Sequence, residues 1–201
     1  MKRRLQTTEK IVALTFDDGP NEPYTSELLD LLKAEGIHAT FFVVGANAKK
    51  YPGVVQRIVA EGHTLGNHST NHLFRNYFLQ PSFRREIEET QKILEEIAGL
   101  RPRFFRSPWL FRHPLLLRSV KRARLTAVFG VFGSEWEVFQ RNPQAMMQRA
   151  LHKLQPGTIY IFHDGYNNKG AYRGATVEAL RQLIPLLRAQ GYRFVTIEDA
   201  L

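Results

Sequence analysis

Short runs rich in Val, Ile, Phe and Thr alternate along this chain with longer segments whose apolar residues recur every three or four positions, the rhythm of strand followed by helix. IVALTF (11–16) leads into PYTSELLDLLKAEG (23–36), ATFFVVG (39–45) into YPGVVQRIVAEG (51–62), and HTLGNH (63–68) into SFRREIEETQKILEEIAG (82–99). RFFRSP (103–108) is followed by PLLLRSVKRA (114–123), AVFGVFG (127–133) by NPQAMMQRALHKL (142–154), TIYIFHD (158–164) by TVEALRQLIPLLRAQG (176–191), and RFVTIEDA (193–200) closes the series. Gly36, Gly62, Gly99 and Gly191 end helical segments, where left-handed backbone is expected.

Strands separated by helices require parallel pairing with right-handed crossovers. Two architectures satisfy this, an open doubly wound sheet or a barrel. Seven strands in 201 residues predict an α/β fold of the second kind, a distorted seven-stranded parallel (β/α) barrel related to the eight-stranded form. No repeat, low-complexity tract or linker interrupts it, so a single domain is expected over 1–201. Phe104 and Phe105 are expected inside the barrel.

Composition narrows the chemistry. With no cysteine there is neither a disulfide framework nor a thiolate metal site, so any metal must be held by His, Asp or Glu. The excess of 28 Lys+Arg over 19 Asp+Glu gives +9, which favours anionic partners. Much of it lies in 101–125, where Arg101, Arg103, Arg106, Arg112, Arg118, Lys121, Arg122 and Arg124 occur without one acid. This is either a solvated helix face or a surface for a polyanion. The apolar runs are far shorter than the roughly 20 residues of a membrane helix. MKRR is followed by polar LQTTEK rather than an apolar signal core, so the chain as given carries no export signal.

In parallel α/β folds the chemistry gathers at the carboxyl ends of strands. Asp17 and Asp18 end the first apolar run, His68 the third, Arg106 the fourth, Glu135 follows the fifth, and His163 with Asp164 ends the sixth. HSTNH sets His68 and His72 four apart, a spacing that brings both imidazoles to one side of a helical turn or tight loop. With one carboxylate from a neighbouring strand end they form a His-His-carboxylate set with open positions. Successive side chains on a strand face opposite ways, so adjacent acids share a site only where the backbone turns out of the strand. TFDDGP (15–20) supplies such a point: Gly19 is expected to permit the turn and Pro20 to fix it. One acid is then free to bind a metal while the other stands by as a base. Tyr166, Asn167 and Asn168 follow His163 on a loop suited either to sugar rings or to a plain turn.

These residues carry a family resemblance. From about Lys10 to the C-terminus the sequence resembles the polysaccharide deacetylases of carbohydrate esterase family 4, the NodB-homology domain: TFDDGP matches the first motif, HSTNH the second, FRSPW the third, SEW the fourth and IFH the fifth. The resemblance implies a hydrolase that removes N-acetyl, or sometimes O-acetyl, groups from sugar polymers with a divalent metal, foremost Zn2+, with Co2+, Ni2+ or Mn2+ as substitutes. By position it makes Asp17 the general base, Asp18, His68 and His72 the metal ligands, and His163 the general acid. It further implies that Arg106 pairs with Asp17, that Glu135 orients His163, and that the Trp109 N–H faces the oxyanion. Trp136 and Ile161 would wall the acetyl methyl pocket.

Three departures from the family pattern stand out: Leu110 in place of glycine after Trp109, Glu135 in place of aspartate, and Phe132 where an earlier aspartate often lies. None removes the base, the ligands or the acid, so an active enzyme on N-acetylglucosamine polymers such as peptidoglycan or chitin-like oligomers is expected. The alternatives are an O-acetyl xylan or small-amide deacetylase, an iron oxygenase, which has no need of Asp17 or of a histidine acid, and a non-catalytic glycan-binding module. The expected partners are an acetylated polysaccharide and an anionic cell-wall polymer, with no nucleic acid and a monomeric chain. The resemblance implies the cell envelope or exterior for a trimmed chain, and the cytoplasm otherwise.

Overall fold

The computed structural model describes residues 4–74, 80–134, 137–139 and 141–201. Its strands are β1 (Ile11–Asp17), β2 (Thr40–Val43), β3 (Thr64–Asn67), β4 (Phe104–Phe105), β5 (Thr126–Ala127), β6 (Val131–Phe132), β7 (Thr158–His163) and β8 (Arg193–Phe194). The helices are α1 (Tyr24–Ala34), α2 (Gly45–Lys50), α3 (Pro52–Ala60), α4 (Gln80–Ala98), α5 (Pro114–Arg122), α6 (Pro143–His152), α7 (Gly174–Ala189) and α8 (Ile197–Ala200). All the strands pair in parallel. Seven follow one path, β5-β4-β3-β2-β1-β7-β6, and β8 adds to the start of β1. This is the distorted parallel (β/α) barrel that the alternation predicts.

The barrel has a seam. AVFGVFG reads as one strand but forms two, β5 at one edge of the sheet and β6 at the other. Only residues 128–130 separate them, far too few for the dozen-residue crossover that parallel neighbours need. The two edges are therefore tied by covalent chain, with Val128 and Phe129 buried in the gap. RFVTIEDA likewise divides, into β8 and then α8, which is capped by Thr196 and Asp199 in a reciprocal capping box.

Strand alternation decides what each face carries. On β1, Val12, Leu14 and Phe16 join the large core beneath the helices, with Leu28, Leu32, Phe41, Tyr160 and Leu180. Ala13 belongs to the inner cluster with Leu5, Phe42, Phe104, Val128, Ile159 and Ile197. Phe105 packs outward with Phe83, Ile87, Leu116 and Val120, so only Phe104 of that pair lies inside; adjacent residues on a strand cannot share a face. Asp17 continues the Ala13 face to the carboxyl end of β1. Gly36, Gly62, Gly99 and Gly191 all hold positive φ after their helices, from 60° to 82°.

Candidate active site

Asp17 and Asp18 occupy the carboxyl end of β1, both buried. The turn that lets them share a site is made by Asp18 itself, at φ 76°. Gly19 does a different job from the one expected of it: a Cβ there would lie 1.9 Å from Asp164 Oδ2, so glycine is required for close approach and not for a positive φ. Asp164, the next residue after His163, accepts a hydrogen bond from Thr25 Oγ1 at 2.8 Å, and burial pushes its carboxyl up to about 7.

His68 and His72 leave β3 on a tight loop rather than a helix. Ser69 and His72 take left-handed backbone, at φ 70° and 49°. Glu86 on α4 braces the loop by accepting the N–H groups of Thr70 and Asn71 at 2.9 and 2.7 Å. The start of α2 adds a second brace, as the N–H groups of Gly45 and Ala46 donate to the carbonyls of Ser69 and Thr70. The loop thus spends its backbone polarity on holding two imidazoles still.

Three ligand atoms converge. Asp18 Oδ1 lies 3.3 Å from His68 Nε2 and 3.1 Å from His72 Nε2, and ligand atoms of all three residues fall within 4.8 Å of one another. Asp18 Oδ2 is held by the Asn167 N–H at 2.9 Å, whereas buried Oδ1 has no hydrogen-bond partner among the described residues. His68 Nδ1 faces the Arg106 carbonyl at 2.8 Å, which places its proton there and turns the Nε2 lone pair toward Asp18. Burial pushes His72 down to about 4, against the pull of Asp18, so that imidazole is neutral near pH 7. For Asp18, burial favours the neutral acid, but the neighbouring imidazoles outweigh it and hold the carboxyl well below its ordinary range. Lone pairs from two imidazoles and a carboxylate facing one another repel unless a cation lies between them. One oxygen and two nitrogen donors with room for further ligands suit a divalent ion such as Zn2+.

Asp17 sits beside this set, with Oδ2 3.9 Å from His68 Nε2. Arg106, fully buried, donates to Asp17 Oδ1 at 2.7 Å and to Thr15 Oγ1 at 2.6 Å, and its guanidinium lies 4.1 Å from the centre of the Phe42 ring. Burial lowers the Arg106 pKa while Asp17 opposes that effect. Removing one partner of such a buried pair costs about 3–5 kcal/mol, because the other charge is left uncompensated.

His163 stands at the end of β7, the residue paired with Asp17 in the β1–β7 register. Its carboxylate partner is Glu137: Oε2 lies 3.0 Å from Nδ1, and Oε1 accepts the His163 N–H at 3.0 Å and the Thr176 hydroxyl at 2.9 Å. Glu135, expected in that role, lies outside the described residues, as does Trp136. The 3-10 turn at Glu137–Phe139 swings a carboxylate onto the end of β7, an offset of two positions that spacing alone does not reveal. Burial works against the charged imidazole, but Glu137, then Asp18 and Asp17, prevail and push His163 up to about 9.

Asp17, Asp18, His68, His72, Trp109, Leu110, Phe132, Glu137, His163, Tyr166 and Asn167 all line one cavity of ≈ 420 Å³. Trp109 and Leu110 are consecutive left-handed residues in a 3-10 turn, at φ 53° and 52°. The Leu110 N–H closes that turn onto the Ser107 carbonyl at 2.9 Å, and the Trp109 ring meets His72 edge-on, with centroids 4.3 Å apart. Phe132 stacks on His163 at an interplanar angle of 10°. Ile161 is fully buried on β7 below His163 and is not among the residues lining the cavity.

Residues 4–128 match the family model described as polysaccharide deacetylase. The chain belongs to that family. It is 34% identical to a peptidoglycan-N-acetylglucosamine deacetylase of Bacillus cereus over 96% of this chain and 89% of the relative. It is 35% identical to a chitooligosaccharide deacetylase of Sinorhizobium fredii over 90% and 87%. The crystal structure of the Bc1960 peptidoglycan N-acetylglucosamine deacetylase superposes with a TM-score of 0.91 at 31% identity, covering 98% of this chain and 91% of that one. The chain is thus a polysaccharide deacetylase, and Asp18, His68 and His72 form a group that could hold a metal ion.

Proposed function

We propose that this deacetylase hydrolyses the N-acetyl group of N-acetylglucosamine units in peptidoglycan or a chitin-like oligomer. The observation that carries the reading is the register of the site: Asp18, His68 and His72 converge beside Asp17, and Asp17 pairs across β1–β7 with His163. The peptidoglycan and chitooligosaccharide specificities named for its relatives support the substrate class.

Asp18, His68 and His72 would hold the ion, for which Zn2+ fits the nitrogen-rich donor set. When bound, such an ion supplies a Lewis acid that lowers the pKa of water and polarises a carbonyl. Asp17 accepts the proton of the attacking water, and Arg106, donating to Oδ1, keeps it aimed for that task. The Trp109 N–H is the donor assigned to the developing oxyanion, a contribution of about 3–4 kcal/mol for such a group. His163, held protonated by Glu137, gives its proton to the departing amine, which leaves poorly as an anion. The base thus faces a guanidinium, while the acid faces the carboxylate that holds it protonated.

Among the described residues no helix is long and apolar enough to cross a membrane. A polymer substrate of this kind supports work at the cell envelope or outside the cell. Metal content and acetate released from defined N-acetylglucosamine oligomers, measured before and after chelation, test the reading. Release that is lost on chelation and restored by Zn2+ is expected. Release from O-acetyl xylan alone would replace the substrate, and release indifferent to chelation would end the proposal.

A further inference from the structure

A second concave site lies at the other end of the sheet. Lys92 and Glu88 of α4, Arg101 and Arg103 of the segment before β4, and Arg122 and Arg124 around the end of α5 line a cleft of ≈ 630 Å³. Arg103 and Arg124 precede β4 and β5, whereas Ser107 and Trp109, which line the catalytic cavity, follow β4. The cleft therefore opens at the amino ends of the strands that carry the active site at their carboxyl ends.

Five cations face one acid here. Arg101 and Arg103 are steadied by Glu95 and Glu198, each at 3.0 Å, and Glu88 is engaged by Arg84 at 3.6 Å. Lys92, Arg122 and Arg124 have no ion pair among the described residues. The carboxyl end of α5 favours cations through the helix dipole, which accounts for Arg122 but not for arginines brought in from a separate segment. Arg124 also holds left-handed backbone, at φ 59°, where glycine or asparagine is easier. Crowding like charges into a concavity is unfavourable until an anion fills it.

We propose that this cleft binds a phosphodiester-linked wall polymer, a chain of phosphates joined by sugars or polyols, and so tethers the deacetylase beside its substrate. Four of the five cations are arginines, whose planar forks engage phosphate oxygens in pairs. Among the described residues no aromatic side chain lines the cleft, which therefore offers no stacking platform of the kind that holds single-stranded nucleic acid. The volume accommodates a phosphate together with part of its linking unit.

The test is binding of the purified chain to poly(glycerol phosphate), measured without catalysis at low and high salt. Arg122→Glu/Arg124→Glu is expected to weaken binding by about tenfold or more, since each reversal sets like charges together. Lys33→Glu/Lys50→Glu changes the net charge equally outside the cleft and should weaken it far less. Acetate release from neutral N-acetylglucosamine oligomers should be unchanged in the cleft variant, which separates this site from the catalytic reading. Arg122→Gln/Arg124→Gly, in which glycine keeps the left-handed backbone without strain, repeats the test if the double glutamate fails to fold. Equal weakening by both charge pairs, no binding by the parent chain, or tighter binding of a single-stranded oligonucleotide of equal charge would each overturn the proposal.

Discussion

The two halves of the catalytic cavity are built on different terms. On one side, Asp17, Asp18, His68, His72 and Arg106 come from the ends of β1, β3 and β4, all buried, each anchored to backbone or to a charged partner. On the other, His163 closes β7 but takes its carboxylate from a 3-10 turn beyond β6, next to the seam where the sheet is not hydrogen-bonded closed. The first half is rigid because its side chains also complete the packing of the strand ends. The second draws on one carboxylate, Glu137, so its chemistry is tunable through that residue. An ion site tolerates little displacement of its ligands, whereas a proton donor needs only a partner of the right charge within reach.

The largest effect should come from the rigid half. Asp17→Asn keeps an oxygen for Arg106 but cannot take a proton, so turnover should fall by about 10²–10⁴-fold, the span assigned to a positioned general base. Metal content and cooperative unfolding should be retained. Loss of the metal together with the activity would show that Asp17 is part of the ion site, and the division of labour between the two acids would fail.

A smaller but more telling effect is expected from the other half. In Glu137→Gln the side chain still accepts from the His163 N–H and Thr176, but its amide then faces Nδ1 and disfavours the protonated ring. The parent enzyme should lose activity as pH rises through about 9, where His163 gives up its proton. The variant should lose it at or below about 6.5, the ordinary histidine value, with kcat reduced more than KM is raised. Stability follows the same sign. A raised His163 pKa contributes stability that is complete below about 6.5 and lost as pH rises through about 9, so the variant's deficit should be larger at pH 6 than at pH 10. Glu135→Gln should leave the alkaline limb in place. A shift with Glu135→Gln and none with Glu137→Gln would return the role to the earlier residue.

That offset of two positions marks where sequence reasoning stops. TFDDGP and HSTNH were legible because each packs its function into five or six consecutive residues at a strand end, where local geometry leaves little choice. The alternation of strands and helices was legible for the same local reason, down to the four glycines that end helices in left-handed backbone. Glu137 and Glu86 were not, because which carboxylate meets a given imidazole or loop depends on how distant segments fold back. The division of AVFGVFG into β5 and β6 escaped a purely local reading too, since apolar residues crossing a seam look the same as apolar residues in a strand. The role of Gly19 belongs here as well: a close approach to Asp164, 145 residues away in sequence, leaves no local mark.

The smallest expected effect concerns the one departure in the rigid half. Leu110 occupies left-handed backbone at φ 52°, a conformation that costs an ordinary residue roughly 1–2 kcal/mol and glycine nothing. Leu110→Gly relieves that cost, yet glycine adds backbone freedom to the unfolded chain and removes a half-buried side chain from the cavity wall. These terms oppose each other, so the net change in unfolding free energy should stay within about 1 kcal/mol. The Leu110 N–H still closes onto Ser107, which keeps Trp109 in place beside His72, and turnover should therefore change by less than about threefold. Denaturant unfolding and initial rates on one N-acetylglucosamine oligomer measure both. A tenfold gain in turnover would mean that Leu110 holds the Trp109 turn away from its working position. The rigid half would then be tunable too, and the contrast between the two sides of the cavity would narrow to their metal.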